Sequence, residues 1–276
     1  MNFKLYNRDC RDMSCIEDSS VDLVVTSPPY YSAKDYGSGK DKGEIGAGVT
    51  YKEYLDDIDK VFRECYRVLK DGRFMCINIS NILVETPTRT ITVPVPYDYF
   101  GLLRNIEGLY YDEAPLWTKP EGMLNQTRAG GFLQYPYPRR IHLNRLYEFI
   151  FIFRKGLLDL SHTQSDNDML KENMIPKKKE YLTDVWYFPC ASASKEKHPA
   201  PYPLELPTRC IVLWSCKGET VLDPFSGTGT TGQACKLEGR NYIGFEISKE
   251  FIELSKKKIG WGTGSLLDEE NKYEVF

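Results

Sequence analysis

At Ser27-Pro28-Pro29-Tyr30 a hydroxyl, a carbonyl with no neighbouring amide hydrogen and an aromatic ring stand side by side. The two prolines fix φ and remove two backbone donors, so the segment is stiff. Two acceptors and a flat face on a rigid loop suit an amino group attached to a planar base. The same four residues would also make a proline-stiffened turn with a packed tyrosine. A second cluster, Asp223-Pro224-Phe225-Ser226-Gly227-Thr228-Gly229-Thr230-Thr231, is a glycine-rich turn in which Gly227 and Gly229 let the backbone approach a ligand closely. Glu246 lies 19 positions after Gly227. An acidic residue about 20 positions beyond such a turn is placed to accept from ribose hydroxyls.

Each cluster follows a strand-like run. Leu23–Val25 is a short apolar run, rich in β-branched residues, that ends abruptly in Ser27-Pro28-Pro29-Tyr30, and a second apolar run before Asp223 also ends in a breaker. A helical pattern over Thr230–Leu237 and a further strand, Asn241–Ile247, come after the glycine turn. In open α/β sheets ligands bind beyond the carboxyl ends of the strands, so one crevice can hold both clusters.

Together the two motifs resemble the amino-methyltransferases of DNA. Their order, tetrapeptide first and glycine loop late, is similar to the circularly permuted β class of that family. The likeness extends to Trp117-Thr118-Lys119, Tyr147-Glu148-Phe149, His198-Pro199-Ala200-Pro201 and the strand before Glu246, and it covers most of the chain outside roughly 157–190. It implies an α/β fold with a doubly wound, mostly parallel central sheet and an inserted target-recognition region. It also implies S-adenosyl-L-methionine as cofactor and double-stranded DNA as substrate. Ser27, Pro28, Pro29 and Tyr30 would be the catalytic set. Asp9, Cys10, the run Asp223, Pro224, Phe225, Ser226, Gly227, Thr228, Gly229, Thr230, Thr231, and Glu246 would hold the cofactor. Asp223 would orient the loop or accept from the cofactor amine, and Phe225 would pack beside the cofactor.

The chemistry follows from the substrate. An exocyclic amine on cytosine or adenine is a poor nucleophile because its lone pair is conjugated into the ring. Acceptors at Ser27 Oγ and the Pro28 carbonyl would draw the nitrogen toward tetrahedral geometry and free that pair for attack on an activated methyl. Positioning then supplies much of the rate. The target base must leave the duplex, at a cost of a few kcal/mol, and Tyr30 would stack on it. Within the family, Ser at the first position leans toward cytosine N4, with adenine N6 as the alternative.

Between the motifs, Phe3–Tyr6 reads as a strand. Tyr51–Leu69 has helical periodicity ended by Gly72, Phe74–Ile79 reads as a strand, and Leu83–Pro96 as an extended excursion before a helix over Tyr97–Glu107. Ser32–Thr50, with five glycines and Lys34, Lys40 and Lys42, is a candidate lid or a surface loop. Leu146–Phe153 is an apolar run suited to a central strand. Leu206–Ser215 and Ser248–Ile259 read as helices, the latter capped by Ser248. The acidic tail after Gly260 is expected to fray.

With 276 residues and 41% hydrophobic content, the chain suits one large domain, 1–276. DNA-facing loops are expected at 116–145, with Lys119, Arg128, Arg139 and Arg140 placed for phosphates, and a target-recognition insert at 157–190, which includes Lys177–Lys179. The net charge of −3 confines any DNA surface to such a local patch. Eight cysteines without a Cys-x-x-Cys pair, and only three histidines, point to a reducing cytoplasm and away from a structural zinc site. No apolar run approaches the ~18 residues of a membrane span. Cys190, in a Pro-Cys pair that a carbon-methylating enzyme would use, is expected to be structural. A companion restriction endonuclease and a monomeric or homodimeric state complete the expectation.

Three other readings compete. Gly227-x-Gly229-x-x-Gly232 fits the fingerprint of a dinucleotide-dependent oxidoreductase, but only about 45 residues follow, too few for the rest of that fold. A phosphate-binding loop fails because Gln233 stands where Lys is required. A DNA-binding relative without activity is argued against by the intact tetrapeptide and intact glycine loop.

Overall fold

The computed structural model describes residues 1–31, 43–85, 90–120, 145–157, 179–191, 202–261 and 272–276. Within them the chain forms β1 (Asn2–Tyr6), β2 (Val21–Thr26), α1 (Tyr51–Val68), β3 (Leu69–Ile79), β4 (Ile82–Glu85), β5 (Thr90–Val93), α2 (Val95–Arg104), β6 (Leu109–Glu113), β7 (Leu116–Thr118) and β8 (Tyr147–Lys155). These are followed by β9 (Val185–Tyr187), α3 (Glu205–Trp214), β10 (Thr220–Asp223), α4 (Thr230–Glu238), β11 (Asn241–Phe245), α5 (Lys249–Ile259) and β12 (Lys272–Val275).

One sheet runs β12-β1-β11-β10-β2-β3-β8-β7-β9, with β6 also pairing β8. The strands from β12 to β3 are parallel, and β8 is antiparallel to β3, β6 and β7. Alternation along β2 shows why helices cover both faces. Val24 joins the core formed with Tyr54, Ile58 and Val61 of α1 and Tyr99 and Leu103 of α2. Leu23 and Val25 face the other core, with Leu206, Cys210 and Ile211 of α3, Ala234 of α4 and Ile252 of α5. A strand buried on both faces needs a continuous apolar run, which is what Leu23–Val25 supplies. The doubly wound, mostly parallel architecture expected from the sequence is therefore present. The order of winding reverses between β10 and β2, which are parallel, hydrogen-bonded neighbours at the point where the order of strands switches.

Several local expectations change. Helix α1 has its capping box at Thr50 and Glu53, but it stops at Val68 because Leu69 already pairs with Val21 in the sheet. Gly72 does not end the helix. It sits in β3 with φ +73°, in a bulge that shifts the register between Val21 and Leu23. Residues 83–96 are not one extended excursion: β4 and β5 pair antiparallel as a separate two-stranded sheet, and α2 begins at Val95. Of the tail after Gly260, residues 262–271 lie outside the described residues, and 272–276 are paired into the sheet rather than frayed. β12 adds a parallel edge strand beside β1, Phe276 stacks on Tyr6 with centroids 4.8 Å apart, and Tyr273 stacks on Phe3 at 5.3 Å.

The region 157–190 is described from Lys179 onward, and that part is built into the sheet. β9 pairs parallel with β7, and Trp186 is 1% exposed. The Arg209 guanidinium of α3 lies 4.6, 5.4 and 4.9 Å from the rings of Tyr181, Trp186 and Phe188. The described part of the stretch 157–190 is thus packed on the core, because exposing these aromatics would carry a hydrophobic cost. Trp186→Ala is expected to lower the stability of the whole domain by about 3–5 kcal/mol. Urea unfolding followed by far-UV circular dichroism measures this, and an unchanged midpoint would detach this segment from the cooperative core.

Candidate active site

Strands β2 and β10 lie side by side in register, Val24 opposite Leu222, and both end at the same edge of the sheet. Thr26 Oγ1 donates to Asp223 Oδ1 at 2.8 Å, so the last residues of the two strands are joined side chain to side chain. The Ser27–Tyr30 loop leaves one strand end and the glycine turn leaves the other, bringing the two sequence clusters into one crevice.

Asp223 is completely buried. Its carboxylate also accepts from Phe225 N at 3.0 Å, Thr231 Oγ1 at 2.5 Å and the Tyr202 hydroxyl at 3.2 Å, and Tyr202 and Thr231 bond to one another. Burial pushes its pKa up, and these donors oppose the shift. With its oxygens engaged by the turn, Asp223 orients the loop; of the two roles expected for it, accepting from a ligand amine finds no support. Tyr202 follows the His198–Pro201 segment, and the sequence reading missed it.

The glycine turn spends its amides on its own chain. Ser226 N donates to Phe245 O at 2.9 Å, Gly229 N to Ser226 O at 2.8 Å, and Gly227 N to Glu246 Oε2 at 3.0 Å. Ser226 Oγ accepts from the Tyr242 hydroxyl at 2.8 Å, and Lys258 Nζ donates to the hydroxyls of Thr228 and Thr230 at 2.9 and 3.1 Å. Pro224 is buried and Phe225 half-buried. Gly229 has φ +81°, and a Cβ there would collide with the Ser255 side chain, so only glycine fits. A phosphate-binding loop needs free N–H groups facing a negative charge. Here a carboxylate already occupies that position, which counts against both the dinucleotide and the phosphate-loop readings.

Glu246 follows β11 and is partly exposed. Its oxygens accept from Gly227 N and from Ser248 N at 2.7 Å. Desolvation raises its pKa to about 7, aided by the charge on Asp223 and opposed by three backbone N–H groups. Two carboxylates about one glycine turn, one of them reachable, make a site of hydrogen-bond acceptors and negative potential. That suits a ligand with hydroxyl donors and positive charge, and S-adenosyl-L-methionine has both.

Of the other expected cofactor residues, Asp9 is held by Arg11, which donates to both carboxylate oxygens and also reaches Asp57 at 2.7 Å and Gly43 O at 3.2 Å. Cys10 is packed in the core, and burial pushes its pKa well up, with the charges of Asp9 and Glu246 adding to the shift.

The tetrapeptide is fastened at several points. Ser27 Oγ donates to Asn78 Oδ1 at 3.3 Å, and Asn78 Nδ2 donates to Phe149 O at 3.3 Å. The Pro29 carbonyl accepts from the Tyr54 hydroxyl at 3.0 Å, and Tyr54 is bonded to Tyr99 at 2.5 Å. The Tyr30 hydroxyl donates to Glu148 Oε2 at 3.3 Å, and Glu148 Oε1 accepts from Lys119 Nζ at 2.5 Å. Asn78 and Tyr54 were not anticipated as site residues. The one signal for Asn78 is a polar residue inside the apolar run Met75–Ile79.

Lys119, expected to face phosphates, has a side chain that is 18% exposed and paired with Glu148. Arg128, Arg139 and Arg140, the glycine-rich residues 32–42 and Lys177–Lys178 lie outside the described residues. Cys190 is half-buried against the second core, in keeping with a structural role. Among the described residues no cluster could hold a metal ion, and no helix is long and apolar enough to cross a membrane.

Comparison with known proteins adds to this geometry. A family model described as DNA methylase matches residues 21–257. The type II methyltransferase M.MjaI of Methanocaldococcus jannaschii is 31% identical over 94% of this chain and 91% of its own length. The type II methyltransferase M.SmaI of Serratia marcescens is 29% identical over 93% and 90%. Among solved structures, a putative DNA modification methylase from Thermus thermophilus, complexed with S-adenosyl-L-methionine, superposes with TM-score 0.75 at 26% identity, covering 99% of this chain and 98% of that one. The cytosine-N4-specific PvuII DNA methyltransferase shares the fold, with TM-score 0.69 at 19% identity over 99% and 95% of the two chains.

The electrostatics of the glycine turn make a prediction about pH. Between about 4.5 and 7 the folded chain keeps a proton on Glu246 that the unfolded chain has released. The stabilisation this gives is complete below about 4.5 and is lost as pH rises through about 7. Glu246→Gln is expected to remove that loss, so its stability relative to wild type should improve between pH 5 and pH 8. Urea unfolding at both pH values checks the sign, and a difference that does not move places the raised carboxyl elsewhere.

Proposed function

The chain belongs to the DNA methylase family, and from that premise we propose that it transfers a methyl group from S-adenosyl-L-methionine to the N4 amine of a flipped cytosine at a specific DNA site. That it is an S-adenosyl-L-methionine-dependent, site-specific DNA amino-methyltransferase rests on the family match and on the relatives and solved structures aligned over almost its full length. The observation that carries the site assignment is the Thr26–Asp223 bond, which brings the acceptor loop and the glycine turn into one crevice. The choice of cytosine over adenine N6 is supported by Ser27 at the head of the tetrapeptide.

The roles divide along the geometry. Glu246 accepts from ribose hydroxyls, Phe225 packs beside the cofactor, and Asp223 holds the turn in shape. S-adenosyl-L-methionine supplies an electrophilic methyl on a sulfonium. The Ser27 hydroxyl donates its hydrogen bond to Asn78 Oδ1, which leaves the Oγ lone pairs to accept from the amine. Because Tyr54 occupies the Pro29 carbonyl, the second acceptor is the Pro28 carbonyl. Tyr30 offers its ring to the extruded base. The whole of 1–276 serves as one catalytic domain, with parts of 116–145 and 157–190 contributing to site recognition and Arg128, Arg139 and Arg140 to phosphate contacts. The type II relatives support a companion restriction endonuclease as a functional partner, and the chain acts as a monomer or homodimer.

Incubating mixed-sequence, unmethylated DNA with the protein and S-adenosyl-L-methionine, then measuring nucleosides by mass spectrometry, tests the assignment. N4-methylcytosine is the expected product. N6-methyladenine would overturn the choice of base and leave the reaction type standing, whereas 5-methylcytosine would remove the amine mechanism. Ser27→Ala should lower the single-turnover rate at saturating DNA by about 3 kcal/mol, roughly 100-fold or more. Cofactor affinity by equilibrium dialysis should stay unchanged. A wild-type rate in this variant would leave the Pro28 carbonyl as the sole acceptor.

A further inference from the structure

The Lys119–Glu148 pair is the described charge cluster beside the crevice that the transfer reaction leaves without a task. Glu148 sits on β8 opposite Trp117 of β7, and Lys119 lies two residues along from Trp117. The side chains are 11% and 18% exposed, and the ammonium and carboxylate are 2.5 Å apart. Desolvation works to lower the Lys119 pKa, but the Glu148 carboxylate outweighs it and the net shift is upward, so the lysine keeps its charge. The ammonium also lies 5.0 Å from the centre of the Trp117 ring, which stacks on Phe188 at 5.2 Å and donates its indole N–H to Phe188 O at 2.9 Å. The cation is therefore held from two sides by parts that are themselves fixed.

A buried ion pair is weak evidence of stabilisation, since two well-packed apolar residues commonly do as well. What distinguishes this pair is the third group on it. One carboxylate oxygen takes the lysine, and the other takes the Tyr30 hydroxyl at 3.3 Å. A hydrogen bond to a charged acceptor is stronger and more directional than one between neutral groups. The opposite end of the tetrapeptide, Ser27, is tied through Asn78 to Phe149 O, the residue next to Glu148. Both ends of the reactive loop are thus referenced to the same stretch of β8.

We infer that Glu148 and Lys119 are positioning residues for the transfer reaction: through the Tyr30 hydroxyl they set the angle of the ring against which the flipped base rests. This rests on the reading of Tyr30 as the stacking face of an amino-methyltransferase. Neither charge touches the base. Lys119 anchors one carboxylate oxygen of Glu148, the other oxygen holds the hydroxyl, and the ring is oriented before DNA arrives. Ordering achieved in advance shows up as rate, because small misplacements of reacting groups are costly.

The experiment is a double-mutant cycle on Glu148→Gln and Tyr30→Phe, with Lys119→Met and Lys119→Arg alongside. Two readouts are taken after the methylated site of the wild-type protein has been mapped by sequencing. The first is the single-turnover rate at saturating DNA. The second is the fluorescence of a duplex carrying 2-aminopurine at the target position, which stacking on an ordered ring quenches. Glu148→Gln and Tyr30→Phe should each slow transfer by about 10- to 100-fold and brighten the bound probe, and the double variant should be no worse than either alone. Lys119→Met should follow them, and Lys119→Arg should restore most of the rate. Equal effects that multiply in the double variant would mean that Glu148 acts without Tyr30, and would overturn the inference. So would a folded Glu148→Gln protein with the wild-type rate and a lowered melting temperature, the signature of a purely structural pair. Wild-type protein that transfers no methyl group overturns the reading itself, a result distinguishable from both.

Discussion

The interaction on which the site depends is the bond from Thr26 to the buried carboxylate of Asp223. It spans the two strands at the point where the sheet reverses its winding, and it fixes the distance between the tetrapeptide and the glycine turn. A carboxylate with no solvent exposure is costly to bury unless its lone pairs are filled. Thr26, Phe225 N, Thr231 and Tyr202 fill them, drawing one donor each from β2, the turn, helix α4 and the segment before α3. Four separate pieces of chain converge on one carboxylate, so the geometry of the turn is over-determined and moving any one piece strips a donor from a buried group.

That arrangement also decides the character of the crevice. Three of the turn's amides, those of Ser226, Gly227 and Gly229, are committed to protein acceptors, and one of those acceptors is a carboxylate. Asp223 adds to the desolvation that raises the pKa of Glu246, and the result is an acidic pocket with a partly exposed carboxyl group. Such a pocket favours a cationic ligand bearing hydroxyls over an anionic one. Similar glycine spacing can serve either kind of ligand, and the difference here lies in what the amides are bonded to.

The tetrapeptide is held from both faces of the sheet. Tyr54 of α1 fixes the Pro29 carbonyl from one layer, and the β3–β8 pair fixes Ser27 and Tyr30 through Asn78 and Glu148. Proline stiffness alone would restrict the backbone and leave the hydroxyl and the ring free to rotate. The hydrogen bonds convert a stiff loop into an oriented one.

Much of this was legible in the chain itself. The apolar run Leu23–Val25 ending in two prolines, the glycine turn after Asp223 and the acid 19 residues past Gly227 specify strand ends with reactive loops, because local backbone chemistry is encoded locally. Helices α1, α3 and α5 were visible as well, since 3.6-residue periodicity is a property of a short window. What the chain alone did not determine is every contact that joins distant segments. Whether Gly72 ended a helix or bulged a strand depended on Leu69 finding Val21. Whether the tail frayed depended on the open edge of β1. Lys119 reads as a surface cation among aromatics until β7 and β8 pair in the register that sets Trp117 opposite Glu148 and brings Lys119 to the same carboxylate. Asn78, Tyr202 and Tyr54 carry no motif of their own. They matter only because folding sets them beside Ser27, Asp223 and Pro29, and it does so through burial and strand register, which belong to the whole sheet and to no single stretch of sequence.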